Sequence, residues 1–215
     1  MKFPIASEGL MFIVPLAVVT LLLFALGWGK LAWFTLALTA FVVFFFRDPE
    51  RVTPPGEGII VAPADGKVVK IDPAYQIDEY PGGAVGVSIF LSVFNVHVQR
   101  TPLEGDVIRK IYNKGKFLAA WDHKASMDNE QTLITMNTPA GVIGVKQIAG
   151  LIARRIVNWT SAGQKLETGE RFGLIRFGSR VDLIMKPGVE VTVKIGDVVT
   201  AGETVMARFT ADSKK

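Results

Sequence analysis

Two apolar runs open the chain. Leu10 to Trp28 is 19 residues without a charge, and Leu31 to Phe46 is 16 more after the break Gly29-Lys30. A bilayer core takes about 20 apolar residues per helix, with a range of about 17–25. The pattern therefore predicts a transmembrane helical hairpin over residues 1–46, turning at Gly29-Lys30. A cleaved signal peptide would show one apolar run of about 7–15 residues and a small-residue cleavage site; two runs joined by a tight turn fit a hairpin better. From Arg47 to Glu57, Pro49, Pro54 and Pro55 mark a linker. Beyond it the period changes to that of strands. Val85 to Val93 is rich in β-branched and aromatic residues. Gln131–Met136 and Val142–Ile148 flank Thr138-Pro139-Ala140-Gly141, a hairpin signal. Val189, Val191, Val193 and Ile195 alternate with Glu190, Thr192 and Lys194, the strict period of two that a half-buried strand shows. Within the rest, Lys114–Asn129 reads as a loop or short helix. The expected fold class is mainly β: a barrel-sandwich-like β domain over 58–215, preceded by the N-terminal transmembrane helical hairpin.

Composition narrows the function classes. Residues 47–215 carry 22 Lys+Arg and 19 Asp+Glu, a net charge of +3, too mild to argue for nucleic acid. A slightly basic domain held at a membrane suits anionic lipid headgroups, and ordinary surface charge explains the number equally well. Lys2 precedes the hairpin, Arg47 and Arg51 follow it, and Lys30 alone lies in the turn. By the positive-inside rule both ends, and with them the β domain, face the cytoplasm from the cell (inner) membrane. The chain has no cysteine, which excludes disulfides and thiolate metal sites; no metal is expected.

The candidate chemistry lies in three segments: Pro63-Ala64-Asp65-Gly66-Lys67, Phe94-Asn95-Val96-His97-Val98 and Arg176-Phe177-Gly178-Ser179-Arg180-Val181-Asp182. A serine after a glycine is ordinarily a hydrogen-bonded or exposed hydroxyl. Here glycine gives the backbone access to strained or positive φ and leaves its carbonyl open to attack. A serine hydroxyl needs a base to become a nucleophile. The chain holds two histidines, His97 beside an apolar strand and His123 in the polar run Trp121-Asp122-His123-Lys124. His97 is the candidate base, since a neutral imidazole suits proton transfer near neutral pH. Asp65 is the candidate orienting carboxylate, although Asp-Gly is also common turn chemistry.

Taken together the three segments resemble the phosphatidylserine decarboxylases, over roughly residues 47–188 and, for the short members, the hairpin too. The resemblance implies self-cleavage between Gly178 and Ser179, giving residues 1–178 (β chain) and 179–215 (α chain), which stay associated. It implies a pyruvoyl cofactor made from Ser179, to which the amine of a phospholipid substrate, phosphatidylserine, joins as a Schiff base before carbon dioxide leaves. It gives Asp65, His97 and Ser179 the parts of a triad. Two departures stand out. Longer members carry His-x-x-His where this chain reads His97-Val98-Gln99-Arg100, and Leu-Gly-Ser-Thr where it reads Phe177-Gly178-Ser179-Arg180. Arg100, whose planar guanidinium suits oxoanions, and Phe177 are the expected substrate contacts. Ala62–Val69 and Val193–Val205 also resemble the hairpins of biotinyl and lipoyl carrier domains. That supports the barrel-sandwich fold and not carrier function, since the hairpin tip needed for modification is missing. Three rivals remain open at this point: the same reaction on another serine-headgroup lipid of the archaetidylserine kind, a membrane-bound Ser/His/Asp hydrolase without self-cleavage, and a non-catalytic membrane adaptor. A homo-oligomer is compatible with the sequence, which does not set the oligomeric state.

Overall fold

The computed structural model describes residues 4–115, 129–150, 155–176 and 178–209. It divides into two compact units, Met1–Glu50 and Arg51–Lys215.

The first unit is a helical hairpin. Helix α1 spans Leu10–Ala25 after a 3₁₀ turn at Ser7–Gly9, and α2 spans Gly29–Phe45. The stretch Ser7–Ala25 is long and apolar enough to cross a membrane; α2 is shorter. Leu21, Leu22, Leu26, Trp33 and Phe34 are exposed, so the hairpin turns apolar side chains outward, as lipid-facing helices do. The hydroxyls of Thr20, Thr35 and Thr39 donate back to carbonyls one turn earlier, which removes the cost of placing them in an apolar medium. The turn is not where the charge break suggested. Gly29 and Lys30 are the first residues of α2, and the chain reverses at Leu26-Gly27-Trp28. Gly27 has φ +75°. The N–H of Gly27 reaches Phe24 O at 3.1 Å and that of Trp28 reaches Leu23 O at 2.9 Å, the paired bonds that close a helix on a left-handed glycine. Counting apolar residues missed this because Leu26 and Trp28 are themselves apolar.

The second unit is mainly β. Its strands are β1 (Ile59–Val61), β2 (Gly66–Ile77), β3 (Tyr80–Leu91), β4 (Val98–Arg100), β5 (Gly105–Asn113), β6 (Gln131–Thr138), β7 (Gly141–Ala149), β8 (Ile156–Asn158), β9 (Lys165–Leu166), β10 (Arg171–Ile175), β11 (Ser179–Met185), β12 (Glu190–Val191), β13 (Val198–Val199) and β14 (Val205–Arg208). One curled sheet of eight strands runs β13-β2-β3-β11-β7-β6-β5-β9; two three-stranded sheets, β4-β10-β8 and β1-β14-β12, complete the unit. All described pairings are antiparallel.

Strand β11 lies between β3 and β7, and all seven of its residues are buried. Val181, Leu183 and Met185 join the main core with Val87, Ile89, Leu91, Val145 and Phe172. Such a strand, buried on both faces, reads as apolar without a break; Ser179, Arg180 and Asp182 are the exceptions.

The hairpin expected around Thr138–Gly141 forms, with Thr138 opposite Gly141 at the head of the β6–β7 ladder. The two carrier-like segments meet: Val198 and Val199 pair with Lys67 and Gly66, and Ala62 exchanges backbone bonds with Thr204 and Gly202. The alternation at Val189–Ile195 does not give a strand of that length. Only Glu190–Val191 pairs. Val189 and Val193 are buried, but at Lys194 the chain enters a turn, with Lys194 N bonded to Asp197 Oδ2 at 2.8 Å and Gly196 at φ +102°. The alternation reports one-sided burial of an extended arm whose ladder with β14 covers two residues, followed by one more backbone bond from Thr192 N to Met206 O at 3.0 Å. Most of Lys114–Asn129, including His123, lies outside the described residues.

Candidate functional site

Ser179 is the first residue of β11, opposite Leu91 of β3 and Ala149 of β7. It is fully buried, and its Oγ has no hydrogen-bond partner among the described residues. A buried hydroxyl without a partner costs about 1–3 kcal/mol, which marks a group placed for something other than stability. Gly178 before it has φ +23°. A Cβ built there meets no atom within 4 Å. Backbone conformation, not crowding, selects glycine at this position.

His97 sits in the connection from β3 to β4. Asn95 shapes that loop: its Oδ1 accepts from Ser92 N at 2.9 Å and from Ser92 Oγ at 2.7 Å. The His97 ring is buried, with Nδ1 2.9 Å from Asn95 O. A carbonyl can only accept, so Nδ1 carries the proton, and when the ring is neutral its lone pair is at Nε2. A backbone carbonyl thus bonds the ring at Nδ1. The His97 carbonyl accepts from Ile175 N at 3.4 Å, which ties the loop to the strand that runs into Gly178-Ser179.

The Asp65 carboxylate is held by Arg51 Nη2 at 2.9 and 3.3 Å and by Ala201 N at 2.8 Å. Gly66 behind it lies against β3 so closely that a Cβ would stand 2.2 Å from Phe90 O. Lys67, Phe90 and Arg180 form one row across β2, β3 and β11. Asp65 and Ser179 therefore occupy the same end of the large sheet, two strand spacings or about 10 Å apart in backbone terms. Pro63 O accepts from Arg100 N at 2.9 Å, joining the Asp65 and His97 segments. Sequence segments far apart in the chain thus gather at one sheet end.

Arg100 is buried; its Nη1 donates to Gly169 O at 3.0 Å, and its Cδ would stand 3.0 Å from a Cβ at Gly202. Its guanidinium thus bonds the turn at Gly169, and its aliphatic stem lies against Gly202. Phe177 lies outside the described residues.

Sequence reasoning missed two polar clusters. On the face of β11 opposite Ser179, Arg180 makes two bonds to Asp182, Nε to Oδ1 at 2.6 Å and Nη2 to Oδ2 at 3.0 Å, and donates to Ser88 Oγ at 2.7 Å. Tyr75 OH donates to Asp182 Oδ2 at 3.0 Å, and the Lys146 amine lies 5.5 Å from the Tyr75 ring centre. Arg180 and Asp182 two residues apart in an apolar strand were the legible signal: they share one face. The second cluster joins Gln99, Gln147 and Asn158.

The titrations in the first cluster have a consequence. Burial, then the Asp182 charge, push the Tyr75 phenol well above its ordinary value of about 10. An unfolded chain loses that proton above about pH 10 while the folded chain keeps it, so this contribution is complete below about pH 10 and is lost as pH rises further. Burial lowers Lys146, opposed by Asp182; that effect has the opposite sign, since stability gains as pH climbs toward the ordinary lysine value. Denaturant midpoints measured against pH are expected to fall above about pH 10, and Tyr75→Phe is expected to flatten the fall.

A family model described as phosphatidylserine decarboxylase matches residues 38–207. A phosphatidylserine decarboxylase proenzyme of Nitrobacter winogradskyi is 49% identical over 210 residues, 96% of this chain and 85% of that protein. One of Geotalea uraniireducens is 46% identical over 206 residues, 94% of this chain and 95% of that protein.

Proposed function

The chain belongs to the phosphatidylserine decarboxylase family, and from that membership we propose that it is a carboxy-lyase that converts phosphatidylserine to phosphatidylethanolamine with a pyruvoyl group made from its own Ser179. The observation that carries the self-processing is the pairing of a buried, unpartnered Ser179 Oγ with a preceding glycine at positive φ.

His97 Nε2 takes the hydroxyl proton as Oγ bonds to the carbonyl carbon of Gly178. The Gly178–Ser179 C–N bond breaks, its nitrogen takes up a proton, and an ester remains. A base then removes the Ser179 Cα proton, and the Cβ–Oγ bond breaks. Residues 1–178 leave with a carboxylate at Gly178, and a dehydroalanine is left at position 179. Water adds, ammonia departs, and the new terminus is a pyruvoyl group. Asp65, anchored by Arg51 and Ala201 N at the same sheet end, supplies a negative charge that favours the imidazolium formed in the first step.

Once made, the pyruvoyl group supplies an electrophilic carbonyl that captures the substrate amine and accepts the electrons released with carbon dioxide. His97 then returns a proton to the substrate carbon. Residues 1–178 and 179–215 stay together as β and α chains, and the apolar hairpin anchors the enzyme in the bilayer where its substrate lies. Arg47 and Arg51 after the hairpin favour a cytoplasmic β domain.

Intact-mass spectrometry of the purified protein tests this. Two chains are expected, with the piece from position 179 lighter by one ammonia than a chain that begins with serine. A single uncut chain in preparations that decarboxylate phosphatidylserine vesicles would overturn self-processing. Cut protein inert on those vesicles would overturn the substrate.

A further inference from the structure

Gln99, Gly173 and Asn158 form one row across the small sheet β4-β10-β8. Gly173 leaves a gap in that row. The amide of Gln147, from β7 of the large sheet, fills it: a Cβ at Gly173 would stand 2.7 Å from Gln147 Nε2 and 2.6 Å from Val157 O. Gln147 Nε2 donates to Gln99 Oε1 at 2.9 Å, and Asn158 Nδ2 donates to Gln147 Oε1 at 2.8 Å. At the end of the chain Asn158 Oδ1 accepts from Thr160 N at 3.1 Å and from Thr160 Oγ1 at 2.7 Å. A backbone N–H can only donate, so this last contact fixes which way Asn158, then Gln147, then Gln99 must face. Gln99 and Gln147 are both fully buried.

The relay bridges the two elements that the self-cleavage step must bring together. Gln99 is two residues from His97. Gln147 stands opposite Val181, and two residues further along each strand Ala149 stands opposite Ser179. The bridge therefore has the same two-residue offset from the candidate base and from the candidate nucleophile. Apolar side chains of equal volume would fill this space at little cost in stability, because a buried hydrogen bond contributes only about 0.5–1.5 kcal/mol net. What amides add is direction: a bond that fails when the sheets shift by a fraction of an ångström. We propose that Gln99 and Gln147 are positioning residues that set the separation of His97 from Ser179 for self-cleavage. The inference rests on the self-processing reading above.

The test uses Gln99→Met/Gln147→Met, a near volume-conserving pair, with Gln99→Met alone as a second variant. Stability is measured in the uncut Ser179→Ala background, and cleavage of the freshly synthesised precursor is followed on gels with Ser179 present. The expected result is a thermal midpoint within a few degrees of the parent and cleavage slowed about ten- to a hundred-fold, the scale of an ångström-sized misplacement. The pH at half-maximal rate is expected to stay fixed while the plateau falls, since the base itself is intact. Cleavage at the parent rate in either folded variant would overturn the positioning role. Failure of both variants to fold would assign the relay to stability and overturn it as well. If the wild-type precursor is itself never cut, the self-processing reading fails, and the inference with it.

Discussion

Replacing Ser179 with alanine is expected to leave the chain whole and to abolish decarboxylation, with little change in stability. The three parts have separate causes. Without Oγ no ester forms at Gly178, so residues 1–178 and 179–215 stay joined and no pyruvoyl group arises; the loss of activity is total and not a matter of degree. The fold tolerates the change because Oγ has no hydrogen-bond partner among the described residues. Removing a buried, unsatisfied hydroxyl is neutral or slightly favourable. Ser179→Cys is the informative companion. A thiol attacks the same carbonyl, and elimination of the thiocarboxylate of Gly178 gives the same dehydroalanine, so this variant is expected to be cut. Gel mobility and release of carbon dioxide from phosphatidylserine vesicles read both. An alanine variant that is cut, or uncut and active, would contradict the role of Ser179.

The second large effect is on stability, at Asp182→Ala. Asp182 is the sole counter-ion within bonding distance of buried Arg180 among the described residues, and it accepts from Tyr75 as well. Taking it away strands a guanidinium in the interior of the central strand. Breaking a buried pair in this way costs about 3–5 kcal/mol, a large share of the roughly 5–15 kcal/mol that holds a typical domain folded. Denaturant unfolding in the Ser179→Ala background is expected to show that loss. The triple replacement Arg180→Met/Asp182→Leu/Tyr75→Phe, which removes the ion pair and the Tyr75 donor together and leaves the Ser88 hydroxyl in place, is expected to recover most of it. A small loss for Asp182→Ala would mean that water reaches Arg180. The same ion pair explains why arginine follows Ser179 here: its side chain leaves the face that Ser179 occupies and is satisfied on the other side of the sheet.

Much of this was legible in the chain. The apolar runs announced a hairpin, the Thr138–Gly141 turn signal gave the β6–β7 pair, and Gly178-Ser179 stood out because glycine, serine and a following apolar strand are close neighbours in sequence. What escaped was what depends on partners far along the chain. Alternation from Val189 to Ile195 encodes one buried face, but whether it becomes a ladder depends on β14, which meets it over two residues. Gln99, Gln147 and Asn158 look like unrelated amides until two sheets cross. The acceptor for the His97 ring is a main-chain carbonyl two residues away, and a carbonyl leaves no trace in a sequence. Asp65 was legible as a candidate orienting carboxylate, whereas its partners Arg51 and the backbone at Ala201 were not.

The central place of β11 has one more consequence. On the proposed route the cut at Gly178 falls at the edge of the strand that sits between β3 and β7, and the chain that follows also supplies β12, β13 and β14. On that route the middle of the main sheet in the mature molecule is a separate polypeptide, held by its ladders and by non-covalent packing in the core. Folding from one chain is a first-order search with the strand tethered close by; after the cut, any molecule that opens fully must find its missing strand by collision. Its persistence is then set by how slowly the sheet opens, not by an equilibrium it can revisit. On the proposed route the precursor folds once, and the act that makes the reactive group also closes the way back.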